Sequence, residues 1–141
     1  MKRARTYVQT ARAEAAEERA APAGDPPAAI TVLVDHYEAR GRGVLALLAD
    51  EGADPRIARI LERGRTTHRA WVADVFGADA DALNPEVLDS PARSELLRLL
   101  VVATDVYTWK LLRLDMGLSR SATERHLLRL VDAVLSSPSP S

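Results

Sequence analysis

No cysteine occurs among the 141 residues. Disulfides, thiolate metal sites and a cysteine nucleophile are therefore excluded, and nothing points to an oxidising compartment. Aromatic residues are scarce, at 4%, and no run alternates apolar with polar residues for long, so β signals are weak. Neither sign of charge is in excess: 19 Lys and Arg stand against 20 Asp and Glu. A domain that grips nucleic acid or an anionic membrane usually carries a basic surplus. No stretch approaches the roughly eighteen apolar residues of a membrane span. The N-terminal MKRARTYVQTARAEAAEERA is charged throughout and lacks the apolar run of a signal peptide. The expectation is a cytoplasmic protein with no membrane association.

Catalytic patterns are missing as well. There is no H-E-x-x-H, no G-x-S-x-G and no phosphate-binding glycine loop. His36, His68 and His126 fall in three different predicted helices, and none has a Glu at i−3 as a di-iron site requires. Asp35, His36 and Glu38 are adjacent in sequence but point different ways on a helix. The reading is therefore not an enzyme, with no catalytic residue, no metal and no cofactor.

What remains is ordinary globular composition, 47% hydrophobic and 28% charged, in a chain long enough for one domain with a real core. Its punctuation is regular. Asp25-Pro26, Asp54-Pro55, Asn84-Pro85 and Ser90-Pro91 each pair a capping side chain with a proline at the first helical position. Ser121 with Glu124 has capping-box spacing. Gly52, Gly77 and Gly117 follow apolar-periodic segments, as helix-terminating residues do. These signals predict an all-α chain with helices over 3–20, 26–51, 55–77, 91–116 and 119–136, a possible turn of helix near 85–89, and a disordered tail over 136–141.

Three predicted helices carry information. On 55–77, Ile57, Ile60, Leu61, Gly64, His68, Trp71, Val72 and Val75 share one face. His68 thus points inward, either to offer a hydrogen bond to a ligand or to be satisfied by a neighbouring carbonyl. The segment 91–116 is apolar nearly all round. Leu96, Leu99, Leu100, Ala103, Val106, Tyr107, Leu111 and Leu114 form one stripe, with Val102 and Trp109 on another side. Thr104, Asp105 and Thr108 interrupt it, and each must find a partner if buried. A carbonyl one turn back would serve threonine, and an arginine across an interface would serve Asp105. The last helix carries a stripe of Leu127, Leu128, Leu130, Val131, Val134 and Leu135, wider than the roughly 100° of an ordinary amphipathic helix. This excess predicts a homodimer in which two helices from each subunit form a four-helix bundle. The interface set is Val102, Trp109, Leu127, Leu128, Val131 and Leu135; the alternative is that both helices fill a monomer core. On the helix 26–51, Tyr37 lies with Ile30, Leu33, Val34, Val44 and Leu48, while Gly41 and Gly43 mark a kink or a break.

RIARILERGRTTHRAWVADVFG (56–77) and LLVVATDVYTWKLLRLDMGLSRSATERHLLRLVDAVL (99–135) resemble the C-terminal ligand-binding and dimerisation domain of TetR-like transcriptional regulators, best its actinobacterial members. Residues 22–52 look like the domain's preceding helix. The resemblance implies a sensor and dimerisation domain over 22–135, preceded by a remnant of a connecting helix over 1–21. It implies an apolar pocket for a small molecule, for which the candidate residues are Tyr37, His68, Trp71, Val75, Thr104, Tyr107 and Thr108. It implies pairing of the last two helices with a second subunit. In the family a separate N-terminal helix-turn-helix reads DNA. That domain is not in this sequence, so DNA would be bound only through it or through a full-length partner. Two alternatives stand: a helical interaction dimer without ligand, and direct DNA binding through 116–130. In the latter, Arg120, Ser121, Arg125 and His126 would face the duplex. Arg113 stands where two helices should nearly touch, Thr123 where an apolar residue should pin the recognition helix, and Glu124 would face phosphate; all three count against it.

Overall fold

The computed structural model describes residues 19–83 and 91–136, the side chains of 78–83 apart. The described residues hold helices and no strand, as the composition leads one to expect. The helices are α1 (Pro26–Ala49), α2 (Pro55–Leu83), α3 (Pro91–Ala103), α4 (Val106–Lys110) running into a π-helical turn (Leu111–Asp115), and α5 (Arg120–Ser136). The turn of helix near 85–89 and the cap residues Asn84 and Ser90 lie outside the described residues. So do residues 3–18 of the first predicted helix and 137–141 of the tail; Ser136 closes α5.

The Asp25 and Asp54 signals place their helix starts correctly. Asp25 Oδ1 accepts from the Ala28 N–H at 3.1 Å, and Asp54 Oδ1 accepts from the Arg56 N–H at 2.8 Å; proline follows each cap. At α5 the cap is Ser119 rather than Ser121: its Oγ accepts from the Ala122 N–H at 3.1 Å. Glu124, freed from a capping box, instead accepts from the Thr31 hydroxyl on α1 at 2.5 Å. Beside it Arg120 pairs with Asp35, so polar links flank the α1–α5 contact.

The stops divide. Gly117, at φ +69°, takes the left-handed conformation of a helix-ending glycine, and the Leu118 N–H reaches back to the Leu112 carbonyl at 3.1 Å, closing the π-helical turn. Gly52 and Gly77 do not terminate anything in that way. Helix α1 ends at Ala49, and α2 runs through Gly77 to Leu83. Gly77 is buried inside α2, where a Cβ would make ordinary contact, at 3.6 Å, with the Arg93 guanidinium of α3. Nor do Gly41 and Gly43 break α1, which is continuous. Gly41 is the seat of Trp109: a Cβ there would lie 2.7 Å from the indole Cζ3. Gly43 faces open space. Gly41→Ala should therefore lose about 1–2 kcal/mol, because overpacking outweighs the gain in helix propensity. Gly43→Ala should gain about 0.5–1 kcal/mol. Paired urea denaturation curves check both signs at once.

The predicted helix 91–116 is two helices and a π turn. Val102 and Trp109 are seven residues apart, two turns of one continuous helix, and would share a face. Yet Val102 is 64% exposed and Trp109 0%. The break at Thr104–Asp105 re-phases the chain between them, and the polar residues that interrupt the apolar segment build that break. Asp105 is extended (φ −69°, ψ 152°), and its side chain caps α4 by accepting from the Tyr107 N–H at 2.9 Å. Within the chain Asp105 thus pairs with backbone. The Thr104 hydroxyl donates to the Leu100 carbonyl at 2.6 Å, one turn back as expected. The Thr108 hydroxyl donates to the Val102 carbonyl at 2.6 Å.

One core unites all five helices. Ile30, Leu33 and Val34 of α1 meet Trp71, Val72 and Phe76 of α2, Leu96 and Leu100 of α3, Val106 and Trp109 of α4, and Leu127 and Val131 of α5. This corrects the interface set. Trp109, Leu127 and Val131 are fully buried within the single chain because α1 covers both closing helices; they are core residues and offer no surface to a partner. Leu128 and Leu135 are half-buried against the same core. Only Val102 of the six stands out in solvent, joined by Leu99 on α3 and Leu130 on α5. Also within this core, the Thr123 hydroxyl is fully buried with no hydrogen-bond partner among the described residues. An orphaned hydroxyl costs more than it contributes, so Thr123→Val should stabilise the chain by about 1 kcal/mol, measurable as a raised urea midpoint with an unchanged slope.

Candidate functional site

A cleft of about 330 Å³ opens between α1, α2 and the α3–α4 break. Its apolar walls are Val44, Leu47 and Leu48 from α1, Ile60 and Leu61 from α2, and Val101 and Val106 beside the break. Ile60 and Tyr107, each about half exposed, stand at its mouth. The volume falls in the range of small-molecule sites, which pair apolar walls with a few placed polar groups. Gly64 supplies room: a Cβ on it would meet nothing within 4 Å.

Polar groups converge at the inner end. His68 is 7% exposed and uses both ring nitrogens. Arg19 lies 2.6 Å from Nδ1 through its guanidinium, and Thr104 Oγ1 lies 3.0 Å from Nε2. A guanidinium only donates, so Nδ1 accepts. The single Thr104 proton is committed to the Leu100 carbonyl, so Nε2 carries hydrogen and donates to Thr104. The relay Arg19→His68→Thr104→Leu100 thus fixes a neutral imidazole in one tautomer. Burial, and next the Arg19 charge, hold the His68 pKa down at about 4.

Tyr37 reaches the same place from α1. Its hydroxyl donates to the Thr104 carbonyl at 2.6 Å. In an unbroken helix that carbonyl would accept from the Thr108 N–H, which here goes to the Asp105 carbonyl at 3.0 Å. The tyrosine supplies the donor that the break removes, and burial raises its pKa. Behind the relay, Trp71 stacks on His68 with ring centroids 5.9 Å apart. Its indole N–H donates to the Arg19 carbonyl at 2.7 Å, and the Arg19 guanidinium lies 4.5 Å from the centre of its ring, a cation–π contact.

The candidate pocket residues therefore separate. Tyr37, His68 and Tyr107 line the cleft. Thr104 sits behind His68 and holds it. Trp71 and Val75 are core residues that do not line the cleft, because the inner face of α2 continues past the cleft into the bundle. Thr108 is occupied at the break. Arg19 is the residue that sequence reasoning missed: assigned to the end of the helix over 3–20, it carries no apolar period that would flag it. His36, Asp105, Arg65 and Arg69 also border the cleft. Arg65 is held by Glu51 in a two-pronged pair at 2.6 and 2.7 Å.

Elsewhere the chain offers little chemistry. The described residues contain no group of His, Asp and Glu side chains able to hold a metal ion, and no helix among them is long and apolar enough to cross a membrane. In the segment 116–130, Arg120 is paired with Asp35 and His126 Nδ1 lies 2.7 Å from the Ala122 carbonyl; just before it, Arg113 bridges Glu38 and the Leu118 carbonyl. Set against known proteins, the chain matches no family model, no curated protein and no solved structure.

Proposed function

We propose that this chain is a small-molecule sensor and dimerisation domain of the kind found in TetR-like regulators, and that the cleft between α1, α2 and the α3–α4 break takes the ligand. The observation that carries the reading is the cleft itself: about 330 Å³ with seven apolar wall residues and a fixed polar relay at one end. A ligand there touches both sides of a helix break, so differential contact with the break is the means by which binding shifts the chain between states. DNA would be read by a separate domain or by a full-length partner.

Dimerisation would use the outer faces of α3 and α5. Leu99, Val102 and Leu130 are exposed there at 47%, 64% and 43%, a set smaller than the interface expected from sequence and displaced from the core. Exposed apolar residues on two helices that already pack on each other within the chain support the four-helix-bundle reading. Two measurements test the proposal. Sedimentation at micromolar concentration should give twice the 15.3 kDa chain mass, and Val102→Glu should return it to one chain. A thermal-shift panel of hydrophobic metabolites should contain a ligand that raises the melting temperature. A well-folded single copy would remove the dimer, and a silent panel would remove the sensor.

A further inference from the structure

Arg19 is 8% exposed and borders the inner end of the cleft. Its guanidinium is held by His68 and by the Trp71 ring, neither of which carries negative charge. Among the described residues its buried Nε has no hydrogen-bond partner, and no carboxylate forms an ion pair with it. Burial without a counter-charge works against the ionised form, yet arginine does not give up its proton in proteins. The cleft's other arginines differ. Arg65 is neutralised by Glu51 and Glu62, and Arg69 lies within 4.0 Å of Glu62. Asp105, a carboxylate that also lines the cleft, accepts from the Tyr107 N–H and makes no ion pair with Arg19. A buried charge that lacks an opposite charge is costly and marks a place where an anion is favourable.

We infer that the cleft binds an amphipathic carboxylate, with its carboxyl group on Arg19 and its apolar body along Leu48, Leu61 and Val106. The inference rests on the sensing reading and adds to it the chemical class of the ligand. A guanidinium with an unpartnered N–H pairs with a carboxylate through charge-assisted hydrogen bonds, about twice as strong as neutral ones. The apolar walls then select for the length and shape of the body.

Calorimetric titration of the whole chain with decanoate, 1-decanol and methyl decanoate tests this. Decanoate should bind at least about tenfold more tightly than the alcohol or the ester. Arg19→Gln should remove that preference while leaving alcohol binding intact. Gly64→Leu, whose Cβ would meet nothing within 4 Å and whose side chain would narrow the cleft, should weaken all three ligands and keep the fold even if Arg19→Gln does not. Equal binding of acid and alcohol overturns the inference and leaves the sensing reading in place, since the cleft is then occupied but the buried charge is already met. A carboxylate preference that survives Arg19→Gln overturns it too. Failure of all three to bind wild-type protein also overturns it, and the uncharged metabolites of the thermal-shift panel then decide the sensing reading separately.

Discussion

Trp109→Ala should cost the fold about 3–5 kcal/mol, the range for truncating a fully buried tryptophan. Trp109 heads the fully buried side chains of the chain. It fills the space against Gly41 and lies 5.9 Å from the Tyr37 ring. Helix α1 cannot collapse onto the vacated volume without dragging Tyr37 from the Thr104 carbonyl, so the cavity stays open and its full penalty is felt. The indole N–H is buried without a partner among the described residues, so no hydrogen bond is lost. Trp109→Phe, which also removes that orphaned donor, should cost distinctly less than Trp109→Ala. Against a typical total of about 5–15 kcal/mol, the alanine variant is close to unfolding. Urea denaturation at two protein concentrations gives the decisive reading. A core tryptophan produces a loss independent of concentration, whereas an interface tryptophan produces one that grows on dilution.

The second large effect is a loss of stability in mild acid caused by His68. In the unfolded chain the imidazole takes a proton near its ordinary value of 6.5; in the fold it does so only near 4. Above pH 6.5 both states hold it neutral, and its contribution is fully present. Between pH 6.5 and 4 the unfolded chain binds the proton and the folded chain does not, so stability falls as the pH falls. Below 4 both are protonated and the loss is complete. The interval corresponds to about 3 kcal/mol. His68→Gln retains a donor for Thr104 and an acceptor for Arg19 but cannot titrate. The wild-type chain should lose about 3 kcal/mol more than this variant between pH 7 and pH 4. Parallel stability curves for the two proteins would mean that the ring is not held neutral by the relay.

Much of the architecture was legible because it is written locally. A capping oxygen followed by proline states where a helix begins, and α1 and α2 begin where Asp25 and Asp54 say. Period alone placed His68, Trp71, Val72 and Val75 on the inner face of α2. The break within 91–116 escaped because both halves are apolar and the interrupting residues, Thr104 and Asp105, read equally well as buried groups in need of partners. The signal was an aspartate two residues before a backbone N–H it can cap, in a segment otherwise too apolar to tolerate one. Missing the break reversed the place of Trp109, and with it the inferred interface. Glycine misled in the same way. At Gly41 it serves the close approach of the Trp109 ring, not a break, and sequence does not record what lies across the contact. The relay was half legible: Thr104 and His68 stood out singly, but only the packing of α2 on α3 brings them together, and Arg19 arrives from outside the helical pattern altogether.

The relay has a mechanical consequence. It ties the strand of chain entering the bundle to the interruption between α3 and α4, through side chains alone, while the Arg19 carbonyl is pinned separately by Trp71. A pull on whatever precedes Arg19 is thereby delivered to Thr104, at the break between α3 and α4, and a shift at Thr104 is returned along the same line. Entry segment and hinge move as one linkage, with the imidazole as its coupling pin.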